Sequence, residues 1–306
     1  MDWLQELKEK NNIVEVISRY VQLQQKGGKF WCCCPFHHEK TASMCVNEDG
    51  QFYHCFGCGE SGDVITFIMK MEGMTFPEAV AFLAERAGMQ VPTPVGFQSN
   101  AESRQKRDRL YEILTLTAKF YYKSLMSDEG KDARTYLEKR GVDKNLMTRF
   151  GLGFSPSYDG VIKYLKEQGF SEAEMLDCGV AWQSDKSKRV FDALQGRMIV
   201  PIFDMRGRVV AFSGRAVTKE FSGGKYVNYR NTKVFEKGKV LYAANFVKKE
   251  KQKVAIDRVI VVEGYMDVIS LAKYGFNNAI AGMGTAFTPE QARALRTLSE
   301  NVCVCY

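Results

Sequence analysis

A chain of 306 residues has room for two or three domains, each able to bury a core. Its 43 Lys and Arg against 36 Asp and Glu leave a net charge of +7, a mild lean toward an anionic partner. No apolar run approaches the ~20 residues that cross a bilayer, and Met1–Glu6 lacks the basic-then-apolar order of a secretion signal. These features exclude a membrane partner and predict a soluble, cytoplasmic protein.

The chain opens with Ile13, Val16, Ile17 and Tyr20 at helical spacing, which predicts an amphipathic helix. Gly27-Gly28 turns the chain into a short strand carrying Phe30 and Trp31. The alternation from Ser43 to His54, broken at Asp49-Gly50, predicts a hairpin. Around these strands lie Cys32, Cys33, Cys34, Cys45, Cys55 and Cys58, six of the nine cysteines, with all three histidines, His37, His38 and His54. A disulfide scaffold has no reason to gather every histidine beside its cysteines, whereas a metal site in a reducing cytosol does.

Cys34 and His37 stand two residues apart, as do Cys55 and Cys58. That spacing lets a tight turn aim both ligands at one ion, and two such knuckles complete a closed tetrahedral Zn²⁺ site. Cys32, Cys33, His38 and His54 are neighbouring alternatives; the Cys34–His37 pair is preferred because it matches the spacing of the second knuckle. Lys26, Lys29 and Lys40 are interleaved with Phe30, Trp31, Phe52, Tyr53 and Phe56. Such a mixture suits single-stranded nucleic acid, whose bases stack and whose phosphates need countercharge. An aromatic mini-core beneath the metal is the competing use of the same rings.

Asp63 begins a helix that buries Val64, Ile65, Phe67, Ile68 and Met71 and stops at Gly73, and Thr75 with Glu78 forms a capping box for the next, ended by Gly88. Periodicity fails from Val91 to Asn100, where Pro92, Pro94, Gly96 and Ser99 mark a linker. Arg104, Lys106, Arg107 and Arg109 follow on a long helix, most simply as its solvated face. Leu110 to Gly179 reads as several helices. Met198–Phe203 and Arg208–Phe212 are strands joined by a hairpin at Asp204–Gly207. Arg197, Arg215, Lys225 and Lys237 stand among glycines, where a phosphate backbone can approach and be held by the cations.

From Arg258 onward the pattern becomes β-α-β-α-β. Val259–Val262 is a buried strand, a helix runs to about Tyr274, Ala279–Ala281 is a second strand, Thr288-Pro289 opens a second helix, and Asn301–Tyr306 is a third strand. This alternation predicts a parallel sheet with crossover helices. Glu263, followed by Gly264, sits at the carboxyl end of the first strand, the edge where ligands of open α/β sheets gather.

At these residues the chain resembles the bacterial DNA primases of the zinc-finger-plus-Toprim kind, essentially from Met1 to Tyr306. Cys34-Pro35-Phe36-His37-His38-Glu39-Lys40-Thr41 and Phe52–Gly59 are similar to the family's zinc signature. Gly196–Ile202 and Lys225-Tyr226-Val227-Asn228 resemble its basic template-binding core, and Val261–Asp267 resembles the Toprim glutamate motif. The resemblance implies an α+β multidomain fold: a zinc ribbon with helices, a basic helical and β subdomain, and a partial α/β Toprim domain. It places a zinc-binding domain at residues 1–90, a linker at 91–109, the N-terminal part of the polymerase core at 110–250 and the partial Toprim domain at 257–306.

The resemblance implies that Cys34, His37, Cys55 and Cys58 hold structural Zn²⁺. It assigns Glu263 as the acidic catalytic residue, Asp267 near it, and Arg197, Arg215, Lys225, Asn228 and Lys237 as ligands of template and nucleotide phosphates. The implied partners are single-stranded DNA, NTPs, the nascent RNA primer and, in full-length relatives, the replicative helicase; a monomer is expected. Ala42 and Met44 depart from the family pattern at packing positions. The family's Asp-x-Asp motif, which completes its Mg²⁺ ligands, falls beyond Tyr306, as does the helicase-docking domain. These 306 residues are therefore expected to bind template and to polymerise poorly or not at all. Two other classes fit less of the sequence. A non-catalytic single-strand-binding module leaves Glu263 without a role, and a Toprim nuclease or topoisomerase leaves the zinc signature unexplained.

Overall fold

The structure is a computed structural model that describes residues 3–91, 98–192, 194–217, 224, 226–228, 230–283 and 287–306, with backbone alone for 98–104 and 228. It divides into two compact units, Met1–Gln98 with Lys249–Ile256 and Ser99–Lys248 with Asp257–Tyr306. Among the described residues no helix is long and apolar enough to cross a membrane.

The first unit opens with two short helices, α1 (Trp3–Glu9) and α2 (Ile13–Ile17), where the periodicity alone predicted one beginning near Ile13. Two asparagines make the break. Asn12 caps α2 by accepting from the Val14 and Glu15 amides. Asn11 is fully buried, donating to the carbonyls of Leu7 and Leu83 and accepting from Arg86. A five-stranded antiparallel sheet follows: β1 (Gln24–Lys26), β2 (Lys29–Cys32), β3 (Met44–Asn47), β4 (Phe52–Cys55) and β5 (Ser61–Gly62), in that order. Gly27 and Gly28, at φ 57° and 75°, form the two-residue turn between β1 and β2. Two successive positive φ values match the right-handed twist of a hairpin, and glycine adopts them without strain.

Pleating sorts the ribbon side chains onto two faces. Cys32, Met44, Val46, Tyr53 and Cys55 are buried in one core with α3 (Val64–Met71) and α4 (Phe76–Arg86). The other face carries the cross-strand row Trp31, Cys45, His54 and Ser61. Asp63 caps α3 through the Thr66 amide, and Glu78 accepts from both the amide and the hydroxyl of Thr75.

The second unit begins with α5 (Gln98–Met126), α6 (Lys131–Lys139), α7 (Lys144–Phe150), the short strand β6 (Gly153–Phe154), α8 (Gly160–Glu167) and α9 (Glu172–Asp177). Arg109 on α5 is tied to Glu174 at 2.6 Å and lies over the Phe170 ring, so the basic run at the start of this helix is not wholly a solvated face. A small hairpin, β7 (Trp182–Gln183) and β8 (Val190–Phe191), precedes the long strands β9 (Arg197–Phe203) and β10 (Val209–Ala216). With β11 (Tyr226–Asn228) these form the antiparallel sheet β11-β10-β9-β6.

After α10 (Ala244–Lys251) the chain builds β12 (Arg258–Val262), α11 (Tyr265–Lys273), β13 (Ala279–Ala281), α12 (Pro289–Leu298) and β14 (Asn301–Cys305). The three strands pair in parallel in the order β13-β12-β14, as the sequence alternation requires. At the centre of the helical and mixed-sheet part lies a fully buried carboxylate, Asp192. It accepts from Tyr121 Oη at 2.7 Å, Ser155 Oγ at 2.5 Å and the Leu194 amide at 2.8 Å.

Candidate functional site

The metal knuckles sit where strands end. Cys34 lies just beyond β2, Cys55 closes β4, and the turns that follow each carry His37 and Cys58. One donor atom from each of the four lies within 4.8 Å of every other. The Cys34 and Cys58 sulfurs are 3.9 Å apart, and the Cys55 sulfur is 3.8 Å from His37 Nδ1. Thiolates at the ~2.3 Å Zn–S bond length of a tetrahedron stand roughly 3.8 Å apart, so the spacing fits zinc. Cys32, Cys33, Cys45, His38 and His54 lie outside this cluster. Burial pushes the Cys34 thiol well above its ordinary range. A buried thiolate therefore needs a cation beside it, which the site's three sulfurs and one imidazole are arranged to hold. Gly57 is required here: a Cβ would stand 2.7 Å from His37 Nε2 and 2.9 Å from Ser43 Oγ.

The aromatic residues divide between the two uses open to them. Tyr53 is buried against Phe36 and Phe67, in the core. Phe56 is 68% exposed on the opposite face, stacked on Trp31 at 5.9 Å and edge-on to His54 at 4.7 Å. Phe52 is also exposed.

The second unit holds a cleft of about 930 Å³ at the carboxyl end of β12. Glu263 and Asp267 line it, both exposed. Asp267 Oδ2 accepts from the Gly264 amide at 3.1 Å, which closes the first turn of α11. Arg215 and Arg140 bring positive charge to the same cleft, each with its guanidinium 5.1 Å from the Tyr136 ring centre. Arg215 also lies 4.8 Å from the Tyr226 ring and hydrogen-bonds its hydroxyl. Its Nε is buried and has no hydrogen-bond partner among the described residues.

The remaining basic candidates lie elsewhere. Arg197 is buried, with Nη1 donating to the Gly224 carbonyl at 2.8 Å; burial lowers its pKa, and it is not on the cleft wall. Its strand register opposite Ala216 turns it beneath Gly214, where a Cβ would meet Arg197 Cδ at 2.9 Å. Lys237 occupies a 3₁₀ turn, also away from the cleft. That turn is held from α12: Gln291 Nε2 donates to the carbonyls of Lys237 and Val240, and Thr288 Oγ1 donates to that of Gly238. Asn228 is placed by β11 opposite Ser213, and Lys225 lies outside the described residues. Sequence reading gave no role to Arg140, nor to Gln291 or Asp192, which have partners remote in the chain. Glu39, two residues after His37, was quoted only within a motif.

A ribbon bearing a four-ligand metal site, then a mixed antiparallel core, then a parallel sheet with an acid at its carboxyl edge defines a zinc-ribbon Toprim protein. Family models agree in the same order: the CHC2 zinc finger over residues 1–99, the N-terminal domain of the DNA primase catalytic core over 120–248, and a Toprim-like domain over 260–306. The DNA primase of Clostridium acetobutylicum is 39% identical over all of this chain and half of its own length. That of Escherichia coli K12 is 37% identical over 99% of this chain and 52% of its own. Among solved structures, the Aquifex aeolicus primase zinc-binding and RNA polymerase domains match with a TM-score of 0.60 and 33% identity, over 99% of this chain and 71% of that one. A DnaG primase catalytic domain bound to single-stranded DNA matches with a TM-score of 0.60 and 36% identity, over 67% and 64% of the two chains. The chain belongs to the bacterial DNA primase family. It spans about half the length of the curated relatives it matches.

Proposed function

We propose that this chain acts in the synthesis of short RNA primers on single-stranded DNA, as a DNA-directed RNA polymerase. Residues 1–90 serve as the zinc-binding, template-reading domain, 91–109 as a linker, and 110–250 with 257–306 as the nucleotidyl-transfer part. The observation that carries this reading is the cleft in which exposed Glu263 and Asp267 face the basic Arg215 and Arg140. Acids beside guanidiniums suit a metal-bound triphosphate, because Mg²⁺ is commonly held by one or two carboxylates together with substrate phosphates.

In this reading Glu263 and Asp267 are the Mg²⁺ ligands, and the bound ion would stabilise the attacking and leaving oxygens of the transfer. Arg215, clamped between Tyr136 and Tyr226, offers phosphate a cation whose position is already fixed. Lys225, Asn228 and Lys237 extend the phosphate-binding surface, as the family resemblance implies. On the ribbon, exposed Phe56 offers a stacking platform to template bases. Cys34, His37, Cys55 and Cys58 hold the zinc that shapes this platform.

The test is binding and synthesis with the 306-residue chain. Single-stranded DNA should bind with an affinity that falls as salt rises, and Arg215→Ala should lower the slope of log K against log salt by about one phosphate contact. Labelled NTP should bind only with Mg²⁺, and Glu263→Gln should weaken that binding at least tenfold on the order of one lost charge-assisted contact, leaving template binding unchanged. NTP binding that ignores both Mg²⁺ and Glu263→Gln would sink the catalytic reading and leave a single-strand-binding module. RNA product on a denaturing gel measures how much of the transfer residues 1–306 carry out unaided.

A further inference from the structure

A fifth residue contacts two of the four metal donors, Cys34 through its main chain and His37 through its ring. Glu39 lies two residues beyond His37, with its side chain only 11% exposed. Its Oε1 accepts the main-chain N–H of Cys34 at 2.6 Å and that of Ser43 at 3.4 Å. Its Oε2 stands 3.4 Å from His37 Nε2. Ser43 in turn places its hydroxyl 3.2 Å from the Cys55 sulfur. The other imidazole nitrogen, Nδ1, is the one that faces Cys55 and the metal donors.

We propose that Glu39 is the positioning residue of the metal centre, keeping the proton on His37 Nε2 so that Nδ1 offers its lone pair to the cation. A neutral imidazole has one donor and one acceptor nitrogen, and the partner of the donor decides which is which. The same carboxylate ties together the two ends of the loop between β2 and β3, through the amides of Cys34 and Ser43. Electrostatics alone argues the other way. Three thiolates around Zn²⁺ already carry a net negative charge, so one more carboxylate nearby raises the repulsion. The value of Glu39 therefore lies in its hydrogen bonds, and the two effects predict opposite outcomes when its charge is removed.

The inference rests on Cys34, His37, Cys55 and Cys58 being a zinc centre, which one control tests separately. In competition with a chromophoric chelator, the 306-residue chain should take up one Zn²⁺, and Cys58→Ser should lose most of that affinity. A wild-type chain that takes up no zinc would end the metal reading itself. With uptake established, Glu39→Ala should weaken zinc by about 10–100-fold, the usual cost of losing an outer partner of a ligating histidine. Glu39→Gln should lose less, since one amide oxygen can serve either the Cys34 amide or His37 but not both. If Glu39→Ala fails to fold at saturating zinc, Glu39→Gln decides. Because the chain has only three histidines, ¹⁵N-histidine spectra can resolve the His37 ring, expected as Nδ1-bound with a protonated Nε2. Zinc affinity unchanged in Glu39→Ala, tighter zinc in Glu39→Gln, or a ring bound through Nε2 would each overturn the assignment.

Discussion

In the ribbon unit two of the four metal donors are buried: Cys34 and Cys55 sit in the same core as Tyr53 and Phe67, while His37 is half-buried and Cys58 exposed. In the larger unit the reactive acids, Glu263 and Asp267, are exposed at a cleft, while the buried acid, Asp192, is consumed by three internal hydrogen bonds. Burial therefore means different things in the two places. Around the knuckles it creates a demand that a cation would meet, and such an ion would be part of the fold. At Asp192 the protein meets part of the demand with its own donors, and burial still outweighs them. At Glu263 the carboxylate is exposed, and a ligand has only solvent to displace from it.

The sharpest way to break this contrast is to remove the metal. A chelator should abolish hydrogen-exchange protection in β2 to β5, since structural zinc contributes about 10–16 kcal/mol in small zinc-binding folds. The helices and sheets from α5 to β14 should keep theirs. Ribbon protection that survives chelation would mean that the apolar core of this unit suffices without an ion.

A smaller effect is expected at Asp192. Replacing it with Ala removes the acceptor of the Tyr121, Ser155 and Leu194 hydrogen bonds, a loss of about 3 kcal/mol in denaturant unfolding of the second unit. Burial raises the pKa of Asp192 from its ordinary 3.8 to about 6, against the opposing pull of Ser155, Tyr121 and Leu194. Across that interval the native state holds a proton that the unfolded chain has lost. The contribution of Asp192 is thus most favourable below the unfolded pKa of 3.8 and declines as pH rises through about 6. Denaturation midpoints of wild type and Asp192→Asn, compared across that range, should differ in their pH slope; parallel curves would refute this account.

The smallest expected effect is at Phe56. Its exposed ring supports little of the core, so Phe56→Ala should leave stability within about 0.5 kcal/mol. Affinity for single-stranded DNA should fall by about 1–3 kcal/mol, the usual worth of one base stacked on an aromatic ring. Fluorescence anisotropy with a labelled oligonucleotide measures it. Unchanged binding would return the Trp31–Phe56–His54 cluster to a purely structural role.

What could be read from the sequence was mostly local chemistry. The knuckles, the turn at Asp49-Gly50, the capping box at Thr75, the helix start at Thr288-Pro289 and the parallel β-α-β-α-β order all announce themselves within a few residues. Strands β1 and β5 did not, because they are two or three residues long and have no buried face to set a period. The break at Asn11-Asn12 was hidden because a buried asparagine is recognisable only by its partners, and Leu83 and Arg86 are more than seventy residues away. Asp192 is the same case, with Tyr121 71 residues distant. Arg197 could be read as a cation but not as a buried one, since its burial depends on the β9–β10 register and on the glycine opposite. Arg140 and Arg215 meet at one cleft only because the fold brings β10 to Tyr136 of α6, four residues before Arg140.

The strand order β13-β12-β14 also sets a timetable for synthesis. Strand β12, which carries Glu263 at its end, is central and stays unpaired on one side until residues 301–305 have been made. The ribbon needs nothing beyond Gly62 to complete its own pairing. At bacterial and eukaryotic elongation rates of ~5–20 residues per second, the two events are separated by on the order of tens of seconds. On the ribosome, the ribbon can pair its strands and be tested by the cell's quality control long before the edge that presents Glu263 exists.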